Sequence, residues 1–276
     1  MSAAPASAPG WRAGLELGFG RDGSRTIPVH RRHFGPLRVQ KAFYPEPGVC
    51  HSYILHPPGG VVGGDRLNTT VDVAGDAHAL ITTPGANKFY RSGGPVACQR
   101  QTLRVADGGT LEWLPLEQIV FDGAQAEATL AVELAGDARF IGWEVTCLGR
   151  PAGALPFVSG RFDARLRIHR DGRPLLHERN DLAAGSGLLS APWGLGGAEA
   201  TAILLATGAD DAAVTAVREL LPADAVAGVT RLDDVLVLRW AGDGAEAAFA
   251  LLRSAWATLR PRLLDRPACE PRIWRT

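Results

Sequence analysis

What this chain of 276 residues lacks narrows its chemistry first. It has only four cysteines, Cys50, Cys98, Cys147 and Cys269, and no two form a Cys-x-x-Cys pair. That excludes a zinc ribbon, and cysteines so far apart read as free thiols. Neither charge is in excess: Lys+Arg and Asp+Glu are each 29, and the isoelectric point is about 7.1. A dedicated nucleic-acid binder carries a basic excess, so no nucleic-acid partner is expected. No apolar run reaches the ~20 residues of a spanning helix, so no membrane role is expected either. The longest uncharged stretch, 182–198, is broken by glycines and Pro192. Residues 1–10 are rich in Ala, Pro and Ser, with neither the basic nor the apolar region of a signal peptide. They read as a disordered tail on a cytoplasmic protein.

The usual catalytic signatures are missing too. Lysine occurs only at Lys41 and Lys88, and neither supplies the Gly-Lys-Ser/Thr element of a phosphate-binding loop. Gly18 to Gly23 matches G-x-G-x-x-G, but the extended, Pro-interrupted 24–29 follows it. A dinucleotide site needs a helix there, so this is a glycine-rich turn. No G-x-S-x-G elbow and no H-E-x-x-H pair exists. No tightly bound cofactor is expected, and no intrinsic turnover.

What is present is a globular composition, with 46% hydrophobic and 21% charged residues. Residues 11–276 read as a single β-rich domain. Period-two alternation dominates its first two thirds, as in 67–73, 101–105 and 129–134, and alternation puts apolar side chains on one sheet face. Asp171-Gly172 between 161–169 and 174–178 is a hairpin signal. Gly-rich punctuation recurs between such runs. The expected fold is mainly β: stacked antiparallel sheets, layered or sandwich-like, with two α-helices in the C-terminal part. That part, 198–276, is mixed α/β. A strand at 202–207 precedes a helix at 212–221, and 226–230 with 235–240 forms a hairpin. A second helix follows at 245–264, with Phe249, Leu252, Trp256, Leu259 and Leu263 on one stripe. Residues 1–60 are basic on balance and 201–250 acidic; these are either solvated faces or partner-facing patches.

Imidazole and thiolate donors are diffuse. Cys50, His51 and His56 share one extended segment, and His30 and His33 another. Neighbours in a strand point to opposite faces, so Cys50 and His51 do not readily chelate one ion. The stronger signal is a set of acids in apolar, Gly-rich surroundings: Asp65, Glu112, Glu117, Asp122 and Glu144. An acid in such a setting costs free energy unless it is paired or lines water. Ion pairs to Arg66, Arg91 or Arg150 are one reading. The other is an acid-lined channel or partner-contacting edge, where carboxylates at intervals pass a divalent ion along weak sites.

Four blocks in this order resemble the UreD family of urease accessory proteins, called UreH in some bacteria. They are Leu55-His56-Pro57-Pro58-Gly59-Gly60-Val61-Val62-Gly63-Gly64-Asp65-Arg66-Leu67, Thr82 to Ser92, Leu111 to Ala124, and Gly142-Trp143-Glu144 through Gly149-Arg150-Pro151. The resemblance covers about 35–182. It implies a non-enzymatic scaffold in nickel delivery. Such a scaffold binds UreF, recruits the GTPase UreG through it, and docks on the urease structural subunits. It further implies a β-rich fold of stacked sheets with two helices, and transient nickel in an internal water-filled passage. Asp65, Glu117, Asp122 and Glu144 are the expected lining. Gln118 and Asn87 stand where family members often carry other residues, and no role is expected of them. The competing reading is a β-rich hydrolase or ligand-binding domain with a dispersed site.

Overall fold

The structure is a computed structural model that describes residues 10–275. The expected tail 1–10 lies outside the described residues except for Gly10. Two sheets face one another, and a helical layer covers the outer side of the second. The chain opens with β1 (Arg12–Asp22) and β2 (Arg25–Phe34), an antiparallel hairpin in sheet one. The G-x-G-x-x-G match lies in β1 and its turn, with Gly23 at φ 55°. The short β3 (Arg38–Val39) and then β4 (Val49–Leu55) enter sheet two. From here the chain shuttles. β5 (Arg66–Val73) lies in sheet one, β6 (His78–Thr82) and β7 (Asn87–Phe89) in sheet two. β8 (Ala97–Val105) returns to sheet one, and β9 (Thr110–Leu114) and β10 (Gln118–Val120) to sheet two. β11 (Gln125–Leu134) lies in sheet one, β12 (Arg139–Leu148) in sheet two, and β13 (Arg161–Arg170) in sheet one.

This shuttle corrects the antiparallel expectation. A strand that crosses to the facing sheet meets its in-sheet neighbour one full coil later, running the same way. The pairs β1–β5, β5–β8, β8–β11, β11–β13, β4–β6, β6–β9 and β9–β12 are accordingly parallel. Among the named strands, antiparallel pairing flanks this coiled stack: at its start in β1–β2 and β3–β4, and at its end from β12 and β13 onward, partly through hairpins and partly between strands that are not consecutive in the chain. Alternation of apolar residues reports which face is buried, not strand direction, so it could not decide this. The corners between coils stack. Ala74 donates to Phe19 O, Ala106 to Val73 O, Ala135 to Val105 O, and Asp171 to Leu134 O, at 2.9–3.0 Å.

The flank hairpin at Asp171-Gly172 forms as expected, between β13 and β14 (Arg173–Ala183). After the single turn α1 (Gly187–Ser190) come β15 (Ala200–Thr207), α2 (Asp211–Arg218), β16 (Val226–Leu232), β17 (Val235–Gly242) and α3 (Ala245–Leu263). The two longer helices match expectation; α1 is additional. Asp210 caps α2 by accepting the Ala213 amide at 2.8 Å. No described helix is long and apolar enough to cross a membrane.

Two apolar cores follow from these layers. Leu15, Leu103, Val132, Phe140 and Phe162 pack between the sheets. Ile141, Trp143, Leu204, Leu238, Leu252 and Trp256 pack between sheet two and the helices. β12 feeds both: Phe140 and Leu148 point inward, while Ile141, Trp143, Val145 and Cys147 point to the helices. Glu144 therefore faces sheet one.

Candidate functional site

A cavity of about 430 Å³ lies between the sheets at the β13–β14 end. Glu144 of β12 and Glu178 of β14 line it from opposite sheets, with Thr146, Asn180, Thr201 and Arg239. Strand parity puts Glu178 there: Leu176 and Leu182 on the same face are buried in the inter-sheet core. Glu178 accepts from Asn180 Nδ2 at 2.8 Å and pairs with Arg239. Glu144 has neither hydrogen bond nor ion pair among the described residues. Burial and then the Glu178 charge raise its pKa to about 7. It is poised to hold or release a proton near neutral pH.

A second cavity of about 470 Å³ lies between the sheets further along, lined by His56, Thr69, Asn87, Gln99, Gln101 and Trp113. A polar rung joins the two. In register, Asn87 of β7 stands beside Gln118 of β10, Gln118 beside Thr146 of β12, and Thr146 beside Thr201 of β15. Asn87 lines the second cavity and Thr146 and Thr201 the first. Asn87 Nδ2 donates to Gln99 Oε1 of sheet one at 2.8 Å. Gln118 Oε1, His56 Nδ1 and Trp113 Nε1 are buried without a partner among the described residues. Orphaned polar atoms are rare in a packed core and mark places where water fits. Asn87 and Gln118, of which the sequence suggests no role, thus form one end of the rung and the step beside it.

The structure scatters the other expected lining residues. Of Asp65, Glu117, Asp122 and Glu144, only Glu144 lines either cavity. Asp65 is buried and accepts the amides of Trp11 at 2.7 Å and Val62 at 3.1 Å, closing a turn. Its expected pairing with Arg66 does not form. Asp122 accepts from the Ser159 hydroxyl and the amides of Ser159 and Val158, and pairs with Arg91 at 2.5 Å. The Ser159 hydroxyl, then those amides and Arg91, hold its pKa below the usual range. Glu117 is half-buried just before β10; after burial itself, it helps push the Cys147 thiol up to about 12.

The fifth acid, Glu112, belongs to a different network on the helix side of sheet two. It is fully buried and accepts from His78 Nε2 at 2.7 Å, Trp256 Nε1 at 2.6 Å and Arg260 at 3.1–3.2 Å. Burial alone would raise its pKa; His78 and Arg260 overturn that and hold it at about 2. Arg260 also reaches Glu46 at 2.5 Å, and Glu46 meets His51 at 2.9 Å. Glu46, His51 and Cys269 bring ligand atoms within 4.8 Å of one another. The cation of that cluster is already in place as Arg260, and His51 Nδ1 has no partner to orient the ring as a metal ligand. It is an ionic clasp that ties the C-terminal segment to β4. Cys50 points the other way, into the inter-sheet core, so Cys50 and His51 do not share a ligand set.

All four cysteines are free, and no nucleophile–base pair sits in either cavity. The family model for the UreD urease accessory protein matches residues 12–275. A urease accessory protein UreD of Dechloromonas aromatica is 46% identical over 99% of this chain and 97% of its own. That of Alkalilimnicola ehrlichii is 48% identical over 100% and 94%, and that of Pseudomonas fluorescens 50% over 97% and 96%. The chain is an accessory protein of urease maturation and not an enzyme. Within that class it belongs to the UreD family.

Proposed function

We propose that this chain is the scaffold through which nickel reaches the urease apoprotein, and that the inter-sheet space is the route. The observation that carries the reading is the polar rung. Asn87, Gln118, Thr146 and Thr201 run across one sheet between two cavities and end at facing carboxylates. A divalent ion entering the Glu144–Glu178 cavity displaces the Glu144 proton and gains oxygen ligands from both sheets. Carboxylate and amide oxygens hold a borderline ion loosely, which suits transit, whereas thiolates would trap it. The ion is cargo, so no resident cofactor is required. Trp193, 79% exposed, and Val226, 73% exposed, stand at the cavity rim. Apolar side chains so placed suit a protein partner, and the UreF homologue is the partner proposed, with UreG recruited through it and the urease subunits receiving the ion.

Two variants test the route. Glu144→Gln removes the carboxylate and Gln118→Leu interrupts the rung. Nickel content of co-expressed urease is expected to fall severalfold in each, with UreF binding and melting temperature retained. Full nickel loading in both variants would sink the proposal.

A further inference from the structure

The outer face of sheet one carries a pair of imidazoles that the inter-sheet route does not use. His169 of β13 and His177 of β14 are diagonal neighbours across the flank hairpin, beside its irregularity at Ile168/His169. Their Nε2 atoms lie 2.7 Å apart, with the rings close to perpendicular at 77°. On the other side of His169, Glu133 Oε1 of β11 lies 3.0 Å from Nδ1. A carboxylate accepts a hydrogen bond and cannot donate one when ionised, so Glu133 holds the proton on Nδ1 and leaves the Nε2 lone pair facing His177. The two Nε2 atoms then share a single proton.

We propose that His169 and His177, with Glu133 orienting His169, form an exchangeable site for one divalent late transition-metal ion. Three features support it. Imidazole nitrogens suit Ni²⁺, Cu²⁺ and Zn²⁺. Metal–nitrogen bonds of about 2.0–2.1 Å at a right angle put two nitrogens roughly 2.9 Å apart, so the 2.7 Å gap needs to open by only a few tenths of an ångström. The Glu133 contact at Nδ1 supplies the outer-shell hydrogen bond that ligating histidines commonly use, whereas the clasp histidine His51 turns Nε2 to Glu46 and has no partner for Nδ1 among the described residues. The ion replaces the shared proton, and solvent completes its coordination because the face is open. Arg167 stands opposite His177 in register, and Arg165 and Arg179 both fork onto Asp163. The Arg167 charge, which no carboxylate pairs among the described residues, keeps the site weak. This site stands apart from the proposed route: it lies on the outer face of sheet one, whereas Glu178, adjacent to His177 in sequence, points inward.

The full chain is titrated with NiCl₂ by calorimetry, and Cu²⁺ at one equivalent is followed by electron paramagnetic resonance. Two equatorial nitrogens are expected on Cu²⁺, and one in His169→Ala or His177→Ala. Each of those changes is expected to weaken one Ni²⁺ site at least tenfold. Glu133→Gln, which keeps the fold and both imidazoles, is expected to weaken it about tenfold, and Arg167→Ser to tighten it about threefold. Glu144→Gln leaves this site unchanged, which separates it from the route. Fewer than two nitrogens on Cu²⁺ in the unaltered chain would overturn the assignment. So would a Ni²⁺ isotherm that the double variant His169→Ala/His177→Ala does not change.

Discussion

Sheet two has one acid on each side that the comparison turns on. Glu112, on the helix side, is fully buried, yet four donor groups from β6 and α3 converge on it and its pKa falls to about 2. Glu144, on the inter-sheet side, has no donor among the described residues, and its pKa rises to about 7. Both sit in strands of one sheet among apolar neighbours. The difference lies in what is brought opposite. α3 presents Arg260 and Trp256 to Glu112, while β14 presents a second carboxylate to Glu144. A paired buried acid builds stability, and an unpaired one spends it on a site.

The largest effect that would break this comparison is at Arg260. Arg260→Met leaves Glu112 and Glu46 without their cation and is expected to cost about 3–5 kcal/mol, read from denaturant unfolding. A loss below 1 kcal/mol would mean the clasp is not an ion-pair network.

Next come the pH slopes, which should have opposite signs. For Glu112 the folded pKa is depressed, so its contribution is present above the ordinary carboxylate range and is lost as pH falls from about 4.5 toward 2. For Glu144 the folded pKa is raised. The fold is favoured while the group is protonated, and stability drains as pH rises from about 4.5 to about 7. Glu144→Gln is therefore expected to stabilise the chain by roughly 1–3 kcal/mol at pH 8 and to flatten that limb. Glu112→Gln flattens the acid limb instead. Parallel slopes in both variants would erase the contrast between the two faces.

Smaller effects belong to the acids that serve the backbone. Asp65→Ala frees the Trp11 and Val62 amides and is expected to cost about 1–2 kcal/mol in thermal unfolding, with nickel transfer by the remaining folded protein unchanged. A transfer defect at full stability would return Asp65 to the route. The smallest change is expected at Arg91→Ala. Its pair with Asp122 is exposed, and Ser159 and Val158 still hold that carboxylate, so the thermal unfolding midpoint is expected to stay close to that of the unaltered chain.

Much of the fold was legible in the residues. Alternation located the strands, Asp171-Gly172 the flank hairpin, and the Val214 and Leu252 stripes the helices. The corners of the stack also leave a mark in the residues. Ala74-Gly75-Asp76-Ala77, Ala106-Asp107-Gly108-Gly109 and Ala135-Gly136-Asp137-Ala138 recur about every thirty residues, which is how a coiled β-stack repeats. They are the stacked corners, with Asp76, Gly108 and Gly136 at positive φ. The site was less legible. Glu144 stood out as an acid among apolar residues, but Glu178 sat in an ordinary charged hairpin strand. Nothing local distinguished Glu112, which is sealed, from Glu144, which is not.

The sequence by itself determined the β-rich class, the terminal helices, the absence of catalytic and nucleotide motifs, and the family. These depend on periodicity and short motifs, which a strand or turn expresses within a few residues of itself. Only the tertiary structure decided strand direction, the polar rung from Asn87 to Thr201, the pairing of Glu112 with an arginine 148 positions away, and the meeting of Glu144 with Glu178. An acid's pKa depends on the charges and dipoles that packing brings within a few ångströms, and most of those come from distant parts of the chain.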